Sequence, residues 1–211
     1  MITYPNHQKG LSLVELLIAM LLGLLLVAGA LQMMLASQEV YKTTDTLSRI
    51  QENGRFALNF IAKDVRMAGY MPTATGTDGS PFWGEACNPC STNGSGNASD
   101  QIAIFMDPSN NLDCQGNSVG SEDVIVNVYS INDLDNDQID SLYCRGFDYQ
   151  TRSWIGSSAQ PLVDGVENMQ ILYGISSGTG TVSRYVSADN VTKWGAIGAV
   201  RISLLLNNGQ V

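Results

Sequence analysis

The sequence predicts an α+β protein: one long N-terminal helix, hydrophobic all round in its first half and amphipathic in its second, packed on an antiparallel β-sheet head. Three observations predict it. Residues 16–38 form a run of 23 without a single charge, and roughly 20 apolar residues suffice to cross the hydrocarbon core as a helix. Apolar residues then recur at three- and four-residue steps as far as Ala68, with no proline between residues 11 and 71. Beyond that point, short runs rich in Val, Ile, Leu and Tyr alternate with stretches of Gly, Ser, Asn and Pro, the texture of strands and turns.

The first element begins in KGLSLVELLIAMLLGLLLVAGAL, from Lys9 to Leu31. A cleaved secretory signal has a shorter apolar region followed by a small-residue cut site. Here the one such triplet, Ala28-Gly29-Ala30, lies inside the run, and apolar residues continue past it to Ala36. The segment therefore reads as retained. Glu15 stands just inside this run, where a carboxylate is costly in lipid unless it reaches the interface or meets an opposite charge.

In the second half of the helix, Leu47, Ile50, Gly54, Ala57, Ile61, Val65 and Ala68 make an apolar stripe. Arg49, Glu52, Arg55, Asn59, Lys63 and Arg66 fall elsewhere on the helical wheel. Gly54 lies on the stripe and is expected to let a neighbour pack closely. Strict heptads are not sustained, so a free coiled-coil stalk does not fit. Gly69 and Pro72 supply the stop, giving about 60 residues and, at the standard rise, about 90 Å of helix.

Residues 73–100 read as an extended loop holding Cys87 and Cys90. Strands are expected at 102–106, 124–129, 169–173 and 200–206, and an antiparallel sheet of these laid on the helical stripe would bury both apolar surfaces. The four cysteines, Cys87, Cys90, Cys114 and Cys144, all lie beyond the apolar run, in a part that would be exported. That compartment favours structural disulfides. Four cysteines allow three pairings, and spacing does not choose among them. Cys87-Asn-Pro-Cys90 also reads as a redox CxxC, though without the strand-then-helix context of a thioredoxin-like motif, or as half of a four-thiolate zinc site.

Charge is divided unevenly. Up to Met71 there are six Lys/Arg and five Asp/Glu; from Pro72 onward there are five and fifteen, a formal charge of −10 for the head. Such a head repels phosphate backbones, so no nucleic-acid partner is expected. The single histidine, His7, precedes the apolar run, which removes imidazole-based triads and His-ligated zinc from the head. No phosphate-binding glycine loop or nucleophile motif stands out, so no catalytic residue is assigned and the chain is not expected to be an enzyme.

The order Lys9-Gly10, then Leu11-Ser12-Leu13-Val14, then Glu15 ahead of an unbroken apolar helix resembles the class III signal of type IV prepilins and pseudopilins. The resemblance implies cleavage by prepilin peptidase between Gly10 and Leu11, N-methylation of Leu11, and a role for Glu15 in subunit assembly. Phe is commonest at the position of Leu11, a conservative difference. In a staggered stack of helices, Glu15 of one subunit can neutralise the new N-terminal amine of its neighbour. The domains then expected are a cleaved leader at 1–10, a transmembrane and polymerisation helix at 11–38, the amphipathic half at 39–71 and a β-rich head at 72–211.

SRIQENGRFALNFIAKDVRMAGY (48–70), DSLYCRG (140–146), LVDGVENMQILYGI (162–175) and VRISLLLN (200–207) further resemble the PilW family of minor type IV pilins. That resemblance implies the type IV pilin fold and a low-abundance subunit that helps to initiate the pilus at or near its tip. Its implied partners are other minor and major pilins, prepilin peptidase and the inner membrane, with the N-terminus cytoplasmic and the head periplasmic before assembly, then at the cell surface. The related J-type minor pseudopilin of type II secretion is the alternative. A membrane-anchored periplasmic enzyme or binding module is the alternative of another class, and an intact N-terminus would mark it.

Between Pro72 and Cys144 there are eleven Asp/Glu and no Lys or Arg. Asp133, Asp135 and Asp137 take positions 1, 3 and 5 of a calcium loop, with Asp140 close behind. The Gly at position 6 and Glu at position 12 of an EF-hand are replaced by Gln138 and Cys144. A solvated acidic loop is the first reading, calcium the one cofactor the run would take, and no other cofactor is expected.

Overall fold

The computed structural model describes residues 10, 12–70, 80–84, 87–108, 110–120, 124–134, 138–177 and 180–208. The chain divides into two compact units, Met1–Leu47 and Ser48–Val211. One α-helix, α1 (Leu13–Met67), supplies the described part of the first unit and the opening element of the second.

In the first unit, the side chains of residues 13–45 are exposed, among them Leu16, Leu17, Leu21, Leu24 and Leu26. The helix is long and apolar enough to cross a membrane. An apolar surface of this extent is not maintained in water and marks a lipid-facing or partner-facing segment.

The second unit begins with the amphipathic half of α1. Gly54, Ala57 and Ile61 are buried, and Ile50, Val65 and Ala68 are half-buried, as their spacing predicts. The polar residues expected off the stripe, Arg49 to Arg66, are all exposed. Leu47 is exposed too, so the buried stripe starts one turn later than expected. Gly54 lets a strand approach: a Cβ there would lie 3.3 Å from Leu206 Cδ1.

The helix ends at Met67. Tyr70 N–H donates to the Met67 carbonyl at 3.0 Å, and Gly69 takes φ of 76° while its N–H donates to Phe105 O at 2.9 Å. A left-handed residue at this point terminates the helix and redirects the chain, and glycine adopts it without steric cost. Pro72, the other expected stop, lies outside the described residues.

Eight strands follow among the described residues: β1 (Ile102–Met106), β2 (Ile125–Asn132), β3 (Ser141–Asp148), β4 (Ser153–Trp154), β5 (Gln160–Asp164), β6 (Val166–Ser176), β7 (Val182–Val186) and β8 (Ile197–Leu206). They form two antiparallel sheets where the sequence suggested one. The first runs β1-β2-β3-β4 with β5 also on β3, and the second runs β7-β6-β8. All four expected strands are present, as β1, β2, β6 and β8. The strands β3, β4, β5 and β7 are additions, the first three in the first sheet and β7 in the second.

The register explains why β1 and β2 read as nearly continuous apolar runs. On one face, Ile102, Ile104, Met106, Ile125 and Tyr129 join Ala57 and Ile61 of the helix in the main core, together with Leu142 of β3 and Met169, Ile171 and Tyr173 of β6. On the other face, Ala103, Phe105, Val126, Val128 and Phe147 form a second cluster under Trp83. Trp83 lies 5.4 Å from Phe105 and 5.6 Å from Phe147, ring centre to ring centre. A sheet covered on both sides needs apolar residues at every position rather than alternate ones.

Candidate functional site

At the N-terminal end, the first turn of α1 carries Glu15, and the Leu16 N–H donates to the Ser12 carbonyl at 3.1 Å. A carboxylate in a first turn sits favourably against the helix dipole, so Glu15 does not weaken its own helix. It is exposed, as is Gly10. Leu11, the expected site of cleavage and methylation, lies outside the described residues, as does His7. Glu15 thus sits on an apolar helical surface and is available to a partner.

Inside the head, a polar cluster joins helix to sheet. Asp64 is 7% exposed. Its Oδ2 accepts from Tyr129 Oη at 2.6 Å and from Asn127 Nδ2 at 2.7 Å. Asn127 is fixed from the other side, because its Oδ1 accepts the Cys114 N–H at 3.1 Å. Asn127 takes the inward-facing place between Ile125 and Tyr129 on β2, so the one polar residue of that row meets the one polar residue of the helical stripe. Buried polar groups are tolerable when bonded in this way, and removing one partner strands the rest.

Burial pushes the Asp64 carboxyl above its ordinary value, while the bonds from Tyr129 and Asn127 and the charge on Lys63 pull the other way. Burial, then the Asp64 charge, hold the Tyr129 phenol well up. The charged or titratable groups around the carboxyl are Lys63 on α1, Tyr129 on β2 and Asp113 in the preceding loop. For an acid whose folded value is raised, the neutral form favours folding. That contribution is complete below the unfolded-state value and is lost as pH rises through the folded one. Asp64→Asn keeps an acceptor and cannot ionise, so its melting temperature should gain on the wild type between pH 4 and pH 7. A difference that does not change with pH would contradict this.

Asp64 was not marked by the sequence as part of the buried face, although it follows Ala57 and Ile61 at helical spacing. Hydropathy set it aside, whereas position on the wheel would have found it.

The four cysteines form two disulfides, Cys87–Cys90 and Cys114–Cys144. The second ties the loop before β2 to the fully buried Cys144 on β3, across 30 residues of sequence. Of the acidic run, Asp133 and Asp140 are described and Asp135 and Asp137 are not. Asp133 Oδ2 accepts the Gln138 N–H at 3.2 Å, which closes a turn. Among the described residues, no three His, Cys, Asp or Glu side chains come together as a metal site.

A helix with an apolar first half, an acid in its first turn and a disulfide-braced β head has clear counterparts in family models. Residues 128–211 match the type IV pilus-assembly protein W family, and residues 5–31 match the prokaryotic N-terminal methylation motif. The chain is a type IV pilin-like minor subunit, similar to the PilW family over residues 128–211. No curated protein and no solved structure matches it. The PilW match starts within β2 at Val128 and takes in Tyr129 and all of β3–β8. Its N-terminal helix is apolar enough to anchor it in a membrane, and the methylation motif fits that anchor. The two matches indicate a structural subunit.

Proposed function

We propose that this PilW-type chain helps to initiate a type IV pilus and sits at or near its tip. Prepilin peptidase removes residues 1–10 on the cytoplasmic side and methylates Leu11, and the head stands in the periplasm until the subunit enters the filament. The observation that carries this reading is the joint presence of the N-terminal methylation motif at 5–31 and the PilW region at 128–211 on one chain.

The physical account centres on Glu15. An unpaired carboxylate and an unpaired terminal amine are both unfavourable in lipid, and bringing them together between neighbouring helices removes two penalties at once. The lone helix is therefore a poorer anchor than the packed one, which drives subunits toward a fixed stagger. A subunit acting at initiation should set the number of filaments and not their length. Deleting the chain is expected to lower pili per cell at least about tenfold, corresponding to ~1.4 kcal/mol of lost nucleation free energy, with surviving filaments of normal length. Normal numbers of shortened pili would contradict an initiating role.

A further inference from the structure

The cluster around Asp64 is incomplete in one respect. Both of its hydrogen bonds end on Oδ2, and among the described residues no donor reaches Oδ1. Nor is that oxygen sealed in the core, since the only buried side-chain polar atom found without a partner among the described residues is the Tyr173 hydroxyl. Asp64 lines a cleft of about 200 Å³ in the head, walled by Met67, Met106, Pro108 and Leu112, with Phe60 and Asn110 at its exposed rim. A second carboxylate, Asp113, borders the same cleft. Its oxygens are held in a turn, Oδ1 by the N–H groups of Gln115 and Asn117 at 2.9 and 2.8 Å and Oδ2 by Asn117 Nδ2 at 2.9 Å.

The geometry points to a socket for a lysine of a neighbouring pilin-like subunit, whose ammonium meets Asp64 Oδ1 while its alkyl stem lies along the methionine and leucine walls. The single open oxygen selects the ligand. A guanidinium binds best to both oxygens of a carboxylate side by side, and here Oδ2 is already used twice. An ammonium is a point donor that needs one oxygen, and a four-carbon stem suits a narrow apolar wall.

The chain's own Lys63 does not fill the place. It lines the same cleft and its charge acts on Asp64, but its side chain is exposed and gives Oδ1 no hydrogen bond. No Lys or Arg occurs between Pro72 and Cys144, so the loop walls of the cleft contribute only acidic charge. Phe56 and Phe60, one helical turn apart and 44% and 40% exposed, lead to its rim, and exposed aromatics of this kind are typical of protein contacts. The burial that raises the Asp64 carboxyl also means that an arriving cation is met by an under-solvated anion. The identity of the partner as another pilin-like subunit rests on the proposed function; the chemistry of the socket does not.

The test uses the full chain in detergent at pH 7 with n-butylammonium as probe and 1-butanol as the uncharged control. The amine should give a saturable rise in melting temperature of about 3 °C at tenfold excess over its dissociation constant, and butanol should not. Asp64→Asn should abolish the shift. So should Asn110→Trp, which blocks the rim without touching the polar cluster. Equal shifts from both probes, or a shift that survives in Asp64→Asn, would overturn the socket. In membranes of producing cells, carbodiimide coupling should join Asp64 to a lysine of a second chain that bears its own N-terminal methylation motif. Coupling to Lys63 alone, or to a protein of another kind, would overturn the assigned partner. A chain recovered from producing cells with residues 1–10 intact would refute the filament reading, while an amine shift in that chain would still uphold the socket.

Discussion

Glu15→Ala is expected to leave the chain in the membrane and to lower its recovery in sheared pili by about 100-fold. Removing an acid from an apolar helix does not hinder insertion, since each carboxylate at depth opposes it. In the proposed stack of helices, its removal leaves the neighbouring chain's terminal amine without a partner. Breaking a buried ion pair from one side costs about 3–5 kcal/mol, and ~1.4 kcal/mol is a factor of ten in an association constant. Membrane fractionation with quantitative immunoblotting reads both halves of the prediction. Recovery in pili equal to wild type would show that the carboxylate is merely an interfacial residue, and loss from the membrane would show that it acts on insertion.

The two disulfides are expected to differ sharply in what they contribute. Closing the 30-residue interval between Cys114 and Cys144 restricts the unfolded chain enough to stabilise the head by about 3–4 kcal/mol, whereas a closure over three residues is worth under about 2 kcal/mol. Cys144 also has no exposed surface and stands in the main core beside Leu142. Replacing Cys114 and Cys144 together by Ala should lower the melting temperature by roughly 10 °C; replacing Cys87 and Cys90 together should lower it by less than half as much. Thermal melts of the full chain in detergent, followed through the near-UV signal of the Trp83 cluster, measure this. Equal losses would mean that the restriction of the unfolded chain is not what the longer bridge supplies.

These effects trace back to features of very different legibility. The helix was readable because its apolar run and stripe obey one periodicity over many turns, and the buried positions Gly54, Ala57 and Ile61 fall where that periodicity puts them. The strands β1, β2, β6 and β8 were readable because they are rich in Ile, Val and Leu. By contrast, β3 contains Arg145 and Gly146, β5 contains Pro161 and Asp164, and β7 contains Ser183 and Arg184. Their places are set by pairing with stronger strands: Tyr129 opposite Cys144, Leu142 opposite Val163, Tyr173 opposite Val186. Such tertiary selection overrides local propensity.

The sites divide in the same way. Gly10, Leu11 and Glu15 lie within one short stretch that matches the methylation motif, whereas the cluster at Asp64 joins residues 63 and 65 positions apart. Cysteine count and compartment indicated disulfides, but pairing required the loop before β2 to be laid against β3. A carboxylate on an otherwise apolar stripe and an Asn in an otherwise apolar strand were each visible alone. Only the packing of helix on sheet shows that they answer one another.

The intact mass and N-terminal peptide of the chain recovered from cells test the account most directly. A mature protein that begins at N-methyl-Leu11 and has lost residues 1–10 is expected. A membrane-inserted chain that still begins at Met1 would contradict it, because no terminal amine would then exist at the depth where Glu15 needs one.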